Sequence, residues 1–373
     1  MKIVVAMDSF KESLSARRAC AITAGVIGEV LSDSQVITKP LADGGEGTAD
    51  AMLAADGGEW ISCDVMGPLA GMQAEAGFAW FEKDRSALVE MAKASGLELL
   101  TDGQRNPLRA TTYGTGQLIR KAIECGAEKV YLAVGGSATV DCGVGAACAL
   151  GWQFRLADGS DYVPGESRLN DIREIVEPEV PIGREVMVLC DVDNPLCGPR
   201  GAAKVYGPQK GATPKMVAEL EAGLENIAEL VEEQLGMSIT DMPGAGAAGG
   251  LSAGAVAFMN AGLTSGTEYI IGKSGLVEAL NDADWVVTGE GRLDEQSLQG
   301  KVIHGVMKCA KRHGVKVAVL AGQVALDDRT LEEQGIDIAM QCMEPDMTVE
   351  AAISEAGELL SERAAELAQE LIA

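Results

Sequence analysis

The chain has 373 residues, with 30 Lys or Arg against 56 Asp or Glu, and a formal net charge of -26. At 47% hydrophobic and 23% charged it has a globular composition, and its length favours two domains. So acidic a chain, with no Lys/Arg-rich stretch, suits neither a nucleic-acid backbone nor an anionic membrane surface. A small anionic substrate stays open, because a few local cations outweigh a distant field that salt screens.

Two histidines, His304 and His313, leave little room for a His-rich metal site. The nine cysteines include no C-x-x-C pair and most sit in apolar surroundings. They read as reduced thiols of a cytoplasmic protein. No run of about 18 apolar residues occurs, so no membrane span is expected.

In chain order, Lys2 to Ala6 is a first strand rather than a signal peptide, ending at Asp8-Ser9-Phe10-Lys11. A helix from Leu14 to Leu31 starts near Ser15, a suitable N-cap. Asp43-Gly44-Gly45-Glu46-Gly47-Thr48 then places two acids among three glycines. Gln117 to Cys125 is helical and closed by Gly126. Val130 to Val134 is a strand running into Gly135-Gly136-Ser137. Val186 to Cys190 is another, ending at Asp191-Val192-Asp193-Asn194-Pro195. Pro208-Gln209-Lys210-Gly211 brings a cation soon after, before a helix from Pro214 to Leu235. Trp285 to Thr288 ends at Gly289-Glu290-Gly291-Arg292, with Gly300-Lys301 beyond. Val315 to Leu320 is a further strand, and an amphipathic helix runs from about Val349 to Ile372, with Ile353, Leu359, Leu360, Leu367 and Leu371 inward. Continuous apolar runs of this length suit strands buried on both faces, hence an α/β fold with a parallel sheet.

In such sheets ligands sit beyond the carboxyl ends of the strands. The chain's acids, cations and glycines gather there. Asp191 and Asp193 fall two apart, which on a strand points both carboxylates the same way. They could hold Mg²⁺ as hard oxygen ligands, or one could take a proton from a substrate hydroxyl. Lys11, Arg292, Lys301 and Lys210 supply positive charge. Asp8, Ser9, Asp43, Glu46 and Glu290 supply polar oxygens. Gly44, Gly45, Gly135, Gly136 and Gly246, with Ser137, offer close backbone approach. Metal ligands, cations and a base are the parts of a phosphoryl-transfer site. Gly244-Ala-Gly246-Ala-Ala-Gly249 matches a dinucleotide fingerprint, but Gly236 to Pro243 forms no convincing strand before it. Gly272-Lys273-Ser274 misses the P-loop pattern, because Thr267 stands where a glycine is needed. His304 reads as structural.

Several blocks together resemble the bacterial glycerate kinase type I family over nearly the whole chain, in the same order. They are Met7 to Ala16, Leu41 to Thr48, the turn at 135–143, Cys190 to Leu196, Gly207 to Ala212, Pro243 to Gly250, and Thr288 to Asp294 with Gly300-Lys301. The resemblance implies ATP-dependent, Mg²⁺-assisted phosphorylation of D-glycerate, with the 2-hydroxyl favoured. It also implies two α/β domains, one inserted in the other, with the active site in the cleft between them. A flavodoxin- or Rossmann-like parallel-sheet domain would comprise 1–60 plus 281–373, and 61–280 would be the insert. The family commonly has Pro at Met7, Asn at Val140 and Gly at Cys142. Partners are expected to be small molecules, D-glycerate and ATP, with no nucleic acid or membrane; a homodimer stays open. Two rival readings stay open as well: a nicotinamide-dependent oxidoreductase of a small hydroxy acid, and a non-catalytic small-acid sensor.

Overall fold

The computed structural model describes residues 1–166, 168–295, 297–298 and 301–372. Gly300 of the Gly300-Lys301 pair lies outside the described residues. The chain clusters into two compact units. The first comprises Met1–Asp43, Asp50–Gly57 and the chain from Thr267 onward; the second comprises Gly44–Ala49 and Gly58–Gly266. Residues 267–280, assigned to the insert from sequence, thus fall in the first unit.

The strands are β1 (Lys2–Val5), β2 (Gln35–Thr38), β3 (Glu59–Met66), β4 (Gln73–Phe81), β5 (Ser86–Glu90), β6 (Lys129–Ala133), β7 (Gln153–Leu156), β8 (Ile172–Val176), β9 (Glu185–Leu189), β10 (Gly262–Thr264), β11 (Trp285–Leu293), β12 (Lys316–Val324) and β13 (Ile338–Gln341).

In the first unit the sheet order is β13-β12-β11-β1-β2, and every pair is parallel. Ile3, Val5, Val287, Ala318 and Leu320 are fully buried in it. The helix Ala16–Val30 covers this core; the Ser15 hydroxyl caps it by accepting from the Arg18 N–H. The expected C-terminal helix is two, Val349–Ser354 and Ala356–Glu370, broken at Glu355 with φ -106. Leu360 and Leu367 of the second piece are fully buried, each stabilising by about 1.5–3 kcal/mol. Ile353 is not a core residue as expected; it is half-buried on the short first piece.

In the second unit the sheet order is β10-β9-β6-β5-β4-β3. β5, β6, β9 and β10 are parallel, whereas β3, β4 and β5 form an antiparallel meander that the sequence reading missed. β7 and β8 pair separately. The parallel strands end in step. Glu90 pairs with Ala133, Ala133 with Leu189, and Leu189 with Thr264, so one cross-strand row closes the sheet. The residues just beyond that row leave the sheet on the same edge, which is what gathers a site there.

Helix Pro214–Leu235 has the predicted limits, with Thr213 capping it and Gly236 ending it at φ 69. No described helix is long and apolar enough to cross a membrane.

Candidate active site

In the first unit, the carboxyl ends of β1, β11 and β12 open onto a cavity of about 430 Å³. Asp8 arrives on the segment after β1, tied to β11 by its own N–H to the Gly289 carbonyl at 2.9 Å. Its carboxylate accepts from the Ser9 N–H at 2.6 Å. Lys11, Asp43, Glu290, Arg292 and Lys301 line the same cavity. Seven residues picked from sequence therefore meet here, counting Asp8 and Ser9. Gln323 and Asp294 also line it and were not picked. Arg292 Nε lies 3.6 Å from Asp294. Gly322 permits the close passage of β12 along β11, since a Cβ there would fall 2.4 Å from the Gly291 carbonyl oxygen.

Negative charge dominates the cavity wall. Burial pushes the Asp8 carboxyl well above its ordinary range, and neighbouring Asp43 and Glu290 add to the shift against the Ser9 N–H and Lys11. Burial raises Glu290 too, opposed by the Ser297 hydroxyl and Lys301. Glu290 is 9% exposed, and its Oε1 has no hydrogen-bond partner among the described residues. With Glu12 and Asp294, the lining carboxylates number five against three cations.

In the second unit, the strand ends carry a different set. Glu90 ends β5, nearly fully buried, and accepts from the Ala49 N–H at 2.7 Å. Lys93 lies 3.6 Å from Glu90 and 3.9 Å from Glu46. The Gly135-Gly136 turn follows β6, and the loop from Gly44 packs over these strand ends. A Cβ at Gly135 would fall 2.5 Å from the Gly45 Cα, and one at Gly44 2.9 Å from the Gly266 Cα. These glycines thus serve a backbone-to-backbone approach as well as any ligand. Glu90 and Lys93 were missed, although the run Ser86 to Val89 ending in an acid carries the same signal as the strands recognised.

Asp191 follows β9 and Ser265 follows β10. The Ser265 hydroxyl donates to Asp191 Oδ1 at 2.6 Å. Asp193 instead pairs with Arg200 at 3.3 Å, both largely exposed. The expected convergence of the two aspartates assumed strand alternation, but β9 ends at Leu189, before either residue. Here each has a partner of its own, so the convergence expected from strand alternation is not what positions them.

Lys210 and Gly246 also depart from expectation. Lys210 is 2% exposed, and its ammonium donates to Ser137 Oγ at 2.6 Å and to the Thr139 carbonyl at 2.7 Å. Burial lowers its pKa to about 7, with Asp141 opposing. Lys210 braces the 135–139 turn rather than reaching for phosphate. Asp141, fully buried, accepts from the Thr112 N–H and hydroxyl and from the Gly143 and Gly145 N–H groups. Gly246 gives its N–H to the Asn194 carbonyl at 2.9 Å, so it is not a ligand donor. A Cβ at Gly249 would fall 1.9 Å from the Thr139 carbonyl oxygen. The G-x-G-x-x-G run is a packing device here, with no strand before it, and the oxidoreductase reading loses its support. Gly272-Lys273-Ser274 lies within helix Gly266–Ser274, not in a phosphate loop. His304 is exposed on helix Val302–His313. Val140 and Cys142 are buried in a hydrophobic cluster, and Cys142 sits at φ 52, the region that favours glycine.

Among the described residues, no three His, Cys, Asp or Glu side chains form a ready metal site. Mg²⁺ is commonly held by one or two carboxylates together with substrate phosphates. Asp8, Asp43 and Glu290 offer hard oxygens of that kind, and Glu290 Oε1, without a partner among the described residues, fits such a role.

Parallel strand ends bearing acids, cations and close glycine turns are where an α/β protein of this build holds a small ligand. Comparison with known proteins narrows this. The model of the glycerate kinase family matches residues 3–372. The glycerate kinase of Halalkalibacterium halodurans is 41% identical over 98% of this chain and 97% of its own. The glycerate 2-kinase of Escherichia coli is 42% identical over 90% of this chain and 89% of its own. A crystal structure of a glycerate kinase 2 from Salmonella typhimurium superposes with a TM-score of 0.84 at 40% identity, covering 100% of this chain and 98% of that one. The chain belongs to the glycerate kinase family.

Proposed function

We propose that this chain phosphorylates D-glycerate at its 2-hydroxyl, converting ATP to ADP with Mg²⁺ as the metal. The observation that carries this reading is the family match, which spans residues 3–372. The 2-position is supported by the Escherichia coli relative, which is named a glycerate 2-kinase.

Asp191 takes the proton of the 2-hydroxyl as that oxygen bonds to the γ-phosphorus and the bond to ADP breaks. Ser265 is the positioning residue that keeps the Asp191 carboxylate oriented. The turn at Gly135–Ser137, braced by Lys210, offers backbone N–H groups and a hydroxyl to the acid. Lys93, close to Glu46 and Glu90, supplies positive charge near that turn. Lys11, Arg292 and Lys301 bind anionic oxygen in the first unit. Asp8, Asp43 and Glu290 would hold Mg²⁺, which when bound offsets the charge of the transferring phosphoryl group. The protein is read as cytoplasmic, with support from nine cysteines that are all free thiols.

The test is incubation with Mg-ATP and D-glycerate, with products resolved into 2- and 3-phosphoglycerate. Glycerate binding without ADP formation would favour the sensor reading instead.

A further inference from the structure

The lining of the first unit's cavity is of two chemical kinds, and only one suits an acid. Besides its charged residues, the cavity is lined by Met343, Ala352, Ile353, Ala356 and Leu359. This wall is built by the strand order. Cys342 and Met343 follow β13, and their N–H groups donate to the Ala321 and Gly322 carbonyls at 2.8 and 3.0 Å, so the segment runs on beside β12. The Gln323 amide donates to Met343 Sδ at 3.2 Å, which fixes that side chain over the cavity. The break at Glu355 sets the short helix Val349–Ser354 apart from the long one, and both contribute apolar side chains.

Glycerate is three carbons, each bearing oxygen. It has no apolar face, so this wall is without a complement in it. A purine has a flat apolar face and a polar edge. About 430 Å³ is within the range of drug-sized ligand sites, roughly 300–1,000 Å³, and is generous for a three-carbon acid. Among the charged residues, Lys301 is the N-cap of helix Val302–His313, and a helix N-terminus favours negative charge near it. Lys11 and Arg292 line the same cavity. Five carboxylates against three cations would repel a bare triphosphate, so the ligand that fits is one already complexed with a divalent cation.

We propose that this cavity is the nucleotide site, with adenine against Met343, Ile353 and Ala356 and the triphosphate toward Lys11, Arg292 and Lys301. The assignment rests on the ATP-dependent reading and deepens it by dividing the substrates: the nucleotide binds the first unit, and the strand ends of the second are left for glycerate.

Calorimetry on the full chain, in Mg²⁺ and without glycerate, compares ATP with inorganic tripolyphosphate. Ala356→Phe crowds the apolar part of the lining and should weaken ATP by about tenfold or more, while tripolyphosphate affinity stays within about twofold. Ile353→Asp, at a half-buried position on a short helix, is the second variant should the first not fold. Unchanged ATP affinity in a variant with the parent's unfolding midpoint overturns the assignment. So does an equal loss of ATP and tripolyphosphate, which would mean the wall does not read the base. Because binding is read without turnover, a parent that binds ATP but makes no phosphoglycerate would sink the kinase reading and leave this one standing.

Discussion

Ser265 donates its hydroxyl to Asp191 at 2.6 Å, joining the ends of two adjacent parallel strands in the second unit. Asp193, two residues on, is tied to Arg200 instead. This separates the roles of two aspartates that look alike in sequence. Asp191→Asn should lose on the order of 10²- to 10⁴-fold in kcat, the usual contribution of a positioned base. Asp193→Asn should stay within about threefold of the parent, since exposed ion pairs contribute little. Ser265→Ala should lower kcat by roughly three- to tenfold and leave both KM values alone, the sign of a positioning residue. Steady-state kinetics of the three variants checks all of this. An Asp193→Asn loss as large as that of Asp191→Asn would return the pair to a shared role.

Lys210 gives stability a particular pH dependence. Burial lowers its folded-state pKa to about 7 from an ordinary 10.5. Between those values the unfolded chain binds more protons than the folded one, so this group's contribution rises with pH and is lost as pH falls toward 7. Below 7 both states carry the charge and the contribution is flat. Lys210→Met should therefore flatten the stability profile between pH 7 and 8 by about 1 kcal/mol relative to the parent. Urea denaturation at the two pH values measures it, and equal slopes for parent and variant would contradict it.

Gly249 belongs to the run that looks like a dinucleotide fingerprint, yet its φ is 68 and a Cβ would fall 1.9 Å from the Thr139 carbonyl oxygen. Gly249→Ala should cost about 2–4 kcal/mol of stability through backbone strain and overlap. The unfolding midpoint reads this directly. A variant as stable as the parent would mean the glycine is kept for something other than packing.

Lys273 stands in a near-miss of a P-loop, but it lies on helix Gly266–Ser274. Lys273→Ala should leave the KM for ATP within about twofold of the parent. A tenfold rise in a folded variant would place this lysine at the nucleotide.

Much of the frame was legible in the chain. β1, β6, β9, β11 and β12 are continuous apolar runs, and such runs announce a parallel sheet covered on both faces. Their polar endings point to Asp8, Glu290, Gly135 and Asp191 from the sequence itself. The meander β3-β4-β5 was not legible, because β3 is half-exposed and carries Glu59 and Asp64 among its apolar residues. Lys210 read as a surface cation because sequence does not show burial; only the fold brings it onto Ser137, 73 positions away. The apolar wall at 343–359 was hidden for a related reason. Ile353 continues the periodicity of the C-terminal helix, and only the break at Glu355 turns it out of the core.

The most direct measurement is the product of the parent protein with Mg-ATP and D-glycerate, resolved by position. Stoichiometric ADP and 2-phosphoglycerate, both abolished by chelating the metal, are predicted. A folded protein that binds D-glycerate yet forms neither ADP nor a phosphoglycerate would contradict the assignment of this chain as a working kinase.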